Sequence, residues 1–255
     1  MKKIIILLLL MFFLFVFGCG KKEESDSKRS NDIESSENVR PYQKLKEEDF
    51  HVDKFKDEEI PLVFMEKLYR LKHYTKETIG ETVATMIIKY TQKIHNVYTQ
   101  TEDEKHLITK SNSSLVNVYH EAYFDDMVKV RNDDDDEFVM ISYDEYNATY
   151  GFMPFSFSIE GFDLVPEAII SSEKVGDYQY KVVIDASCCS KNVNIQMKKF
   201  GKLTDDVEFK SVEMIITMKE DFTPITIDYK SEYVASVGIK SNCVQSYVVT
   251  YTILD

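Results

Sequence analysis

The feature that most constrains this chain is the apolar run at residues 4–17, which follows Lys2 and Lys3. A membrane-spanning helix needs about 20 apolar residues, so this run is short for a transmembrane span. A positive start followed by an apolar run of this length is typical of a secretory signal peptide. We therefore expect residues 1–18 to act as a signal peptide and the remaining chain to fold outside the cytoplasm.

The run ends in Val16-Phe17-Gly18-Cys19, which resembles the lipobox of bacterial lipoproteins. That motif is an aliphatic residue, two small residues and a cysteine, and Phe17 stands where a small residue is usual. The resemblance implies that Cys19 becomes the mature N-terminus and carries fatty acyl chains such as palmitate. Two acyl chains hold a protein stably on a bilayer, whereas one does not. The alternative is an ordinary signal peptide, or a short N-terminal anchor, with an incidental cysteine.

The composition limits which partners the chain can have. It contains 44 acidic and 31 basic residues, and its formal net charge is -13. Nucleic-acid phosphates attract Lys and Arg, so we predict no nucleic-acid partner. An acidic chain also lacks the basic face that lies on anionic lipid. Contact with the cell membrane is therefore expected through the lipid anchor at Cys19, on the extracytoplasmic side.

Composition also divides the chain into regions. Residues 20–46 are rich in Lys, Glu, Ser, Asp and Asn, and such a segment buries too little apolar surface to fold. Residues 47–59 are still highly charged. We therefore predict a lipid anchor and flexible polar tether over residues 19–59 and one folded domain over residues 60–255.

Hydrophobic periodicity predicts the elements of the first half of that domain. Apolar residues three and four apart predict a helix over residues 61–73, and alternation across residues 83–90 predicts a long strand. Residues 94–101 either continue this strand or form its partner. Short gaps between the strands that follow predict an antiparallel meander. Ser142 and Glu145 form a capping-box pattern, so a short helix is expected there and should end at Gly151.

The second half begins with a predicted hairpin of residues 168–175 and 178–184. Asp185 is placed to cap a helix that continues to Phe200. Three further strands are expected, at residues 207–218, 225–234 and 243–254.

The order of these elements resembles a known group. The helix that contains residues 68–74 leads directly into a long strand, and residues 214–218 run through a turn into residues 225–227. This is similar to bacterial lipoproteins of the LolA/LppX-like half-barrel group, over roughly residues 60–255. The resemblance rests on element order and not on a signature motif. It implies an α+β fold in which a curved antiparallel β-sheet, a half-barrel, packs against a few short helices. It also implies a cavity for an acyl chain or another apolar ligand.

One irregular aromatic run has the composition of an apolar binding site. Met and aromatic side chains adapt well to apolar ligands, so these residues are candidates for a ligand site or its lid. The members are Phe152, Met153, Phe155, Phe157 and Phe162. Simple filling of the core explains the same residues and stays open as the alternative.

Motifs of catalysis are missing from the sequence. It contains no G-x-S-x-G, no phosphate-binding G-x-x-x-x-G-K-[ST] and no H-E-x-x-H. We predict that the protein is not an enzyme. The acidic run at residues 133–136 lacks the spacing of a calcium loop, so a solvated turn is expected there.

The remaining cysteines are Cys188, Cys189 and Cys243. Adjacent cysteines do not bridge each other without strain, so either Cys188 or Cys189 pairs with Cys243, or all three remain free thiols. Their spacing does not match a zinc site, and we expect no metal and no cofactor.

Together these features predict a membrane-anchored bacterial lipoprotein that is non-catalytic and binds an apolar ligand or a protein partner. The first alternative is a structural or surface-interaction lipoprotein with a filled core. The second is a hydrolase whose site the sequence does not reveal.

The anchor can be tested by replacing its cysteine. We expect Cys19→Ser to move the protein from the membrane fraction to the soluble fraction, because the acyl chains have no other attachment point. Fractionation followed by intact-mass analysis measures this. A mutant that stays in the membrane fraction, together with wild-type protein that keeps residue 1, contradicts the lipid anchor.

Overall fold

A computed structural model describes residues 40–85, 89–113, 117–199, 202–236 and 240–254. The predicted signal peptide, Cys19 and residues 20–39 of the predicted tether lie outside the described residues.

Within these ranges the chain forms one antiparallel sheet of eleven strands. The strands are β1 Tyr74–Thr85, β2 Lys89–Gln100, β3 Lys105–Ser113, β4 Asn117–Phe124, β5 Val128–Arg131, β6 Val139–Ile141, β7 Ile169–Gly176, β8 Gln179–Ile184, β9 Glu208–Met218, β10 Pro224–Ser236 and β11 Lys240–Ile253. Their order is β6-β5-β4-β3-β2-β1-β11-β10-β9-β8-β7, so β6 and β7 are the two edges of an open sheet.

Four α-helices accompany the sheet in the described residues: α1 Ile60–Arg70, α2 Tyr143–Tyr150, α3 Ala186–Cys189 and α4 Lys191–Lys199. The predicted α+β class, an antiparallel sheet packed against a few short helices, is therefore confirmed. None of the described helices combines the length and the apolar character that crossing a bilayer requires.

Register places the apolar residues of the strands on one side of the sheet. Tyr180, Ile216, Ile227, Val249 and Thr78 are successive cross-strand partners from β8 to β1, and all five are buried. Successive side chains in a strand point to opposite faces, so their neighbours face the solvent. We call the buried side the core face and the other side the outer face.

Two hydrophobic clusters occupy most of the core face. The first, which we call the α1 cluster, joins buried residues of α1 to those of β8–β11, including Phe64, Val182, Ile216, Ile227 and Val249. The second, the α2 cluster, joins Tyr146 of α2 to residues of β1–β5: Tyr74, Tyr98, Leu107, Ala122, Phe124, Val128 and Val130.

The helix predicted over residues 61–73 is confirmed as α1, although it ends at Arg70. Pro61 lies in its first turn, where the missing amide proton breaks no helical hydrogen bond. The backbone of Leu71 is extended, and β1 begins three residues later.

The predicted boundary between tether and domain is wrong for residues 40–59. Phe50 and Val52 are each 3% exposed, and the Val52 amide donates to the Glu220 carbonyl over 3.0 Å. The Arg40 guanidinium donates to the buried Glu66 carboxylate of α1 at 2.5 and 3.1 Å. Isolated apolar residues in a charged segment do not predict folding, because they gain burial only from an existing core. Residues 40–59 belong to the folded domain.

The long strand predicted over residues 83–90 is also wrong. Thr85 pairs with Lys89, so the chain reverses direction between β1 and β2. No Gly, Pro, Asn or Asp lies in this stretch to indicate a turn, and the alternation of apolar residues continues through it. The two-residue alternation of side chains identifies the strands, but it does not show where the chain reverses direction.

Other local predictions are confirmed. Ser142 and Glu145 form the reciprocal capping box of α2, and Gly151 ends that helix with φ 76°. The β7–β8 hairpin pairs as predicted, and Asp185 caps α3. The single helix predicted from Asp185 to Phe200 is wrong in its continuity, because the chain forms two helices, α3 and α4, that are separated at Ser190. Phe200 itself lies outside the described residues.

All three described cysteines are free thiols. Cys188 is exposed, whereas Cys189 and Cys243 are buried in different hydrophobic clusters. Burial raises the pKa of Cys189 to about 12, so this thiol stays protonated and unreactive at neutral pH. The structure therefore agrees with the second alternative, in which all three cysteines remain free thiols.

A close approach of β1 and β11 requires a glycine at position 80. A Cβ placed on Gly80 would overlap the Ser246 carbonyl oxygen and the Tyr247 Cβ. We expect Gly80→Ala to lower the free energy of unfolding by about 1–3 kcal/mol, as overpacking does. Urea denaturation measures this. The matched control is Thr82→Ala, two residues along the same face of β1, and equal losses in the two variants would contradict the steric argument.

Candidate functional site

The predicted aromatic site lies in an irregular segment that lies over the core face. We call residues 151–165 the cover segment; it joins α2 to the 3-10 helix Pro166–Ala168. Phe152, Met153 and Phe155 pack on the α2 cluster, whereas Phe157 and Phe162 pack in the α1 cluster. The structure therefore divides the five predicted residues between two clusters that one segment connects.

Edge-to-face aromatic contacts hold the ends of the cover segment in place. Phe155 meets Phe124 of β4 with ring centroids 5.7 Å apart, and the Lys105 ammonium lies 4.8 Å above the Phe155 ring. At the other end, the fully buried Phe162 lies 5.3 Å from Phe209. Such pairs add roughly 0.5–1.5 kcal/mol each to the burial of their surface.

A tight turn at residues 159–162 brings a carboxylate to the sheet. Ile159 and Phe162 exchange both backbone hydrogen bonds, at 3.0 and 2.9 Å. Glu160 and Gly161 between them have φ 51° and 85°, the pattern of a two-residue turn with both central residues in the left-handed region. Glycine adopts this region freely, whereas a glutamate there is strained.

The Glu160 carboxylate forms an ion pair at the centre of the core face. Its Oε1 lies 2.6 Å from the Nζ of Lys76 on β1, and the two side chains are 8% and 27% exposed. Burial raises the pKa of Tyr247 and Tyr251 well above the usual value, and the nearby Glu160 charge raises both further. The Lys76–Glu160 ion pair was not predicted from the sequence. The one local sequence feature that relates to it is Glu160-Gly161, which indicates a turn.

A polar row crosses the core face beside the α2 cluster. Thr78, Asn96, Thr109 and His120 are cross-strand partners from β1 to β4. His120 is fully buried, and its Nδ1 lies 3.0 Å from the Asn132 Oδ1. Its Nε2 lies 3.0 Å from the hydroxyl of Tyr146 on α2. Burial lowers the pKa of His120, so the imidazole is neutral at pH 7 and links the sheet to α2.

A charged cluster on the outer face surrounds Glu121. Its carboxylate accepts hydrogen bonds from the Tyr119 hydroxyl at 2.6 Å and the Arg131 guanidinium at 2.7 Å, and lies 2.9 Å from the His106 Nε2. Burial acts to raise the pKa, but these hydrogen bonds outweigh it and lower the pKa of Glu121 to about 2. The cluster binds β3, β4 and β5 together.

Two groups of potential metal ligands lie at the surface. His51, Asp53 and Glu220 bring three ligand atoms within 4.8 Å of one another, and so do Asp133, Asp134 and Asp135. The second group is the predicted acidic turn, and its members are exposed. Exposed carboxylates of this kind do not by themselves make a metal site.

The concavities described at the surface have mostly polar or charged residues in their walls. A groove of about 600 Å³ lies beside α4 and has Lys191, Lys198 and Lys199 in its walls. A second one of about 250 Å³ lies between the end of α1 and β11. Neither is the apolar cavity that the family resemblance implied. In the described residues, the cover segment and α1 pack against the core face.

Comparisons with known proteins add little to this picture. No family model and no curated protein matches the chain. The chain is similar to a solved LolA superfamily protein from Nitrosomonas europaea. The two are 9% identical, the match covers 76% of this chain and 93% of that chain, and the TM-score is 0.27. A likeness at this level carries no argument for function, and the geometry of the core face has to supply one.

The charged cluster on the outer face predicts a pH-dependent stability. We expect Glu121→Gln to lower the free energy of unfolding at pH 7 by roughly 2–3 kcal/mol, because a buried carboxylate with three donors is lost. The lowered pKa means that this stabilisation is complete above the ordinary value of 4.5 and disappears as the pH falls towards about 2.

Urea denaturation of both proteins at pH 7, 5 and 3 measures this difference. The exposed Glu137 offers the control Glu137→Gln, which should change little at any of these values. A difference between wild type and Glu121→Gln that is the same at pH 7 and pH 3 would show that the carboxylate charge is not responsible.

Proposed function

We propose that the protein is a non-catalytic bacterial lipoprotein, held at the extracytoplasmic face of the cell membrane through Cys19. Its half-barrel domain binds an apolar ligand against the core face, in the place that the cover segment occupies. The observation that carries this proposal is the apolar face itself, which is covered over its centre by irregular chain.

The cover segment is attached in a way that allows it to leave. The backbone hydrogen bonds described for residues 152–162 are made within the cover segment. Its described backbone bonds to helices lie at its two ends, from the Gly151 amide to the Asn147 carbonyl at 2.8 Å and from the Asp163 amide to the Cys189 carbonyl at 3.2 Å. Side-chain burial and the Lys76–Glu160 ion pair therefore supply most of its attachment. Long irregular segments in compact domains are commonly lids or binding loops.

The cover segment and an apolar ligand would compete for the core face through the same hydrophobic effect. Side chains such as Phe152, Met153 and Phe155 bury apolar surface on the α2 cluster. An acyl chain in their place offers roughly 0.8 kcal/mol for each buried methylene. Since both occupants gain by burying apolar surface, the ligand displaces the cover segment to the extent that its concentration and affinity exceed the free energy of opening.

A second candidate function is a surface interaction with a protein partner, with the core permanently filled. The observation that favours it is the apolar character of both edge strands of the sheet. Val139 and Met140 on β6 are 60% and 59% exposed, and Ile170 on β7 is 66% exposed. Unpaired edge strands with apolar side chains can accept a strand from a partner.

The two functions differ in whether the cover segment moves. The chain contains no tryptophan, so a single introduced tryptophan reports on its own position. Phe157 is partly buried, and its ring lies 5.3 Å from that of Tyr69 on α1. With full-length Phe157→Trp in phosphatidylcholine vesicles, we expect palmitic acid to cause a saturable red shift of the emission as the side chain enters water.

The matched control is Phe138→Trp, beside β6 on the outer face, whose emission should not change. Native mass spectrometry of wild-type protein extracted in mild detergent should also find a bound acyl ligand. If Phe157→Trp responds to neither palmitic acid nor methyl palmitate and the extracted protein is empty, ligand binding is wrong and the surface interaction is favoured.

A further inference from the structure

Lys76 is placed unusually for a lysine, on the core face in the centre of the sheet. Its neighbours on that face of β1 are Tyr74 and Thr78, and its cross-strand partners are Tyr98 on β2 and Tyr251 on β11. Its ammonium is neutralised by the Glu160 carboxylate at 2.6 Å. That carboxylate belongs to the cover segment, whereas Lys76 belongs to the sheet.

Because Lys76 lies on the sheet and Glu160 on the cover segment, the ion pair is broken when the cover segment leaves. Removing one partner of a partly buried ion pair is destabilising, since the other charge then remains without compensation among largely apolar neighbours. A neutral ligand on the core face would leave the Lys76 ammonium in that state. A ligand that replaces the cover segment therefore has to bring a negative charge to the position of the Glu160 carboxylate.

A row of apolar residues crosses the sheet from Lys76, and we call it the apolar lane. The cross-strand partners at the same level are Tyr98, Leu107, Ala122 and Val130, on β2 to β5, and all four are buried. Neighbouring strands are about 4.8 Å apart, so the lane extends about 19 Å from Lys76. This is close to the length of an extended long-chain fatty acid.

The cover segment places a carboxylate and apolar side chains where a fatty acid would place its head group and its chain. Its Glu160 presents a carboxylate to Lys76, and its Phe152, Met153 and Phe155 lie on the cluster to which the lane belongs. The left-handed backbone at Glu160 is also strained, and this strain is released when the cover segment leaves.

We propose that the ligand is a long-chain carboxylic acid whose head group binds Lys76 in place of Glu160, with its acyl chain along the Tyr98–Val130 lane. This inference rests on the proposed function and defines the chemical class of its ligand. Glu160 is then an internal competitor, and Lys76 determines the preference for an acid over a neutral lipid.

The experiment compares palmitic acid with methyl palmitate, which has the same chain without the charge. Full-length protein with the Phe157→Trp reporter is titrated in phosphatidylcholine vesicles at pH 8. We expect palmitic acid to bind at least tenfold more tightly than the ester. Lys76→Met should abolish this ratio and bind the ester at least as well as before, because the apolar lane is intact.

Two further variants keep the test decisive if Lys76→Met is unstable. Lys76→Arg retains the positive charge and should retain the preference for the acid. Glu160→Gln removes the competing carboxylate and should strengthen palmitic acid binding severalfold while changing ester binding less. Thermal melts of each variant establish that it is folded.

The possible failures are distinguishable. The role of Lys76 is overturned if the Phe157→Trp protein with Lys76 intact binds both probes equally, or if Lys76→Met in this background keeps the preference for palmitic acid. Apolar ligand binding stands in both cases. If neither probe binds the wild type or any variant, the proposed function itself is overturned, and this inference is overturned with it.

Discussion

The structure depends on the need of a single β-sheet layer to cover its apolar face. Eleven antiparallel strands place their buried residues on the same side, and a sheet of this kind is unstable until another layer removes that side from water. The described helices are short, the longest being Ile60–Arg70. The remaining area is covered by residues 40–59, which contain two short 3-10 helices, and by the irregular cover segment.

Irregular cover is weaker than a helix or a strand, and that weakness is the basis of the proposed function. The cover segment makes its described backbone hydrogen bonds largely with itself, so side-chain packing and one ion pair fix its position. Replacing a buried ion pair by apolar residues is often neutral or stabilising. A charged pair between Lys76 and Glu160 is therefore poorly explained by stability, and it is well explained by recognition of a charged head group.

Local chemistry was predictable where short-range interactions decide it. The Ser142–Glu145 capping box and the β7–β8 hairpin depend on residues a few positions apart, so the sequence contains the whole interaction. The reversal after Thr85 pairs this residue with the nearby Lys89, but no turn residue in the sequence locates it. The packing of Phe50 depends on partners far along the chain. For the same reason, the aromatic residues of the cover segment could be identified from composition, but their division between two clusters could not.

By itself, the sequence determined the α+β class, the acidic charge and the residues that favour strands, because these follow from composition and periodicity. The tertiary structure alone decided the strand order, the inclusion of residues 40–59 in the domain and the meeting of Lys76 with Glu160. Those two residues are 84 positions apart, and no local pattern relates them. The register of β1 and the turn at Gly161 bring the ammonium and the carboxylate together on the core face.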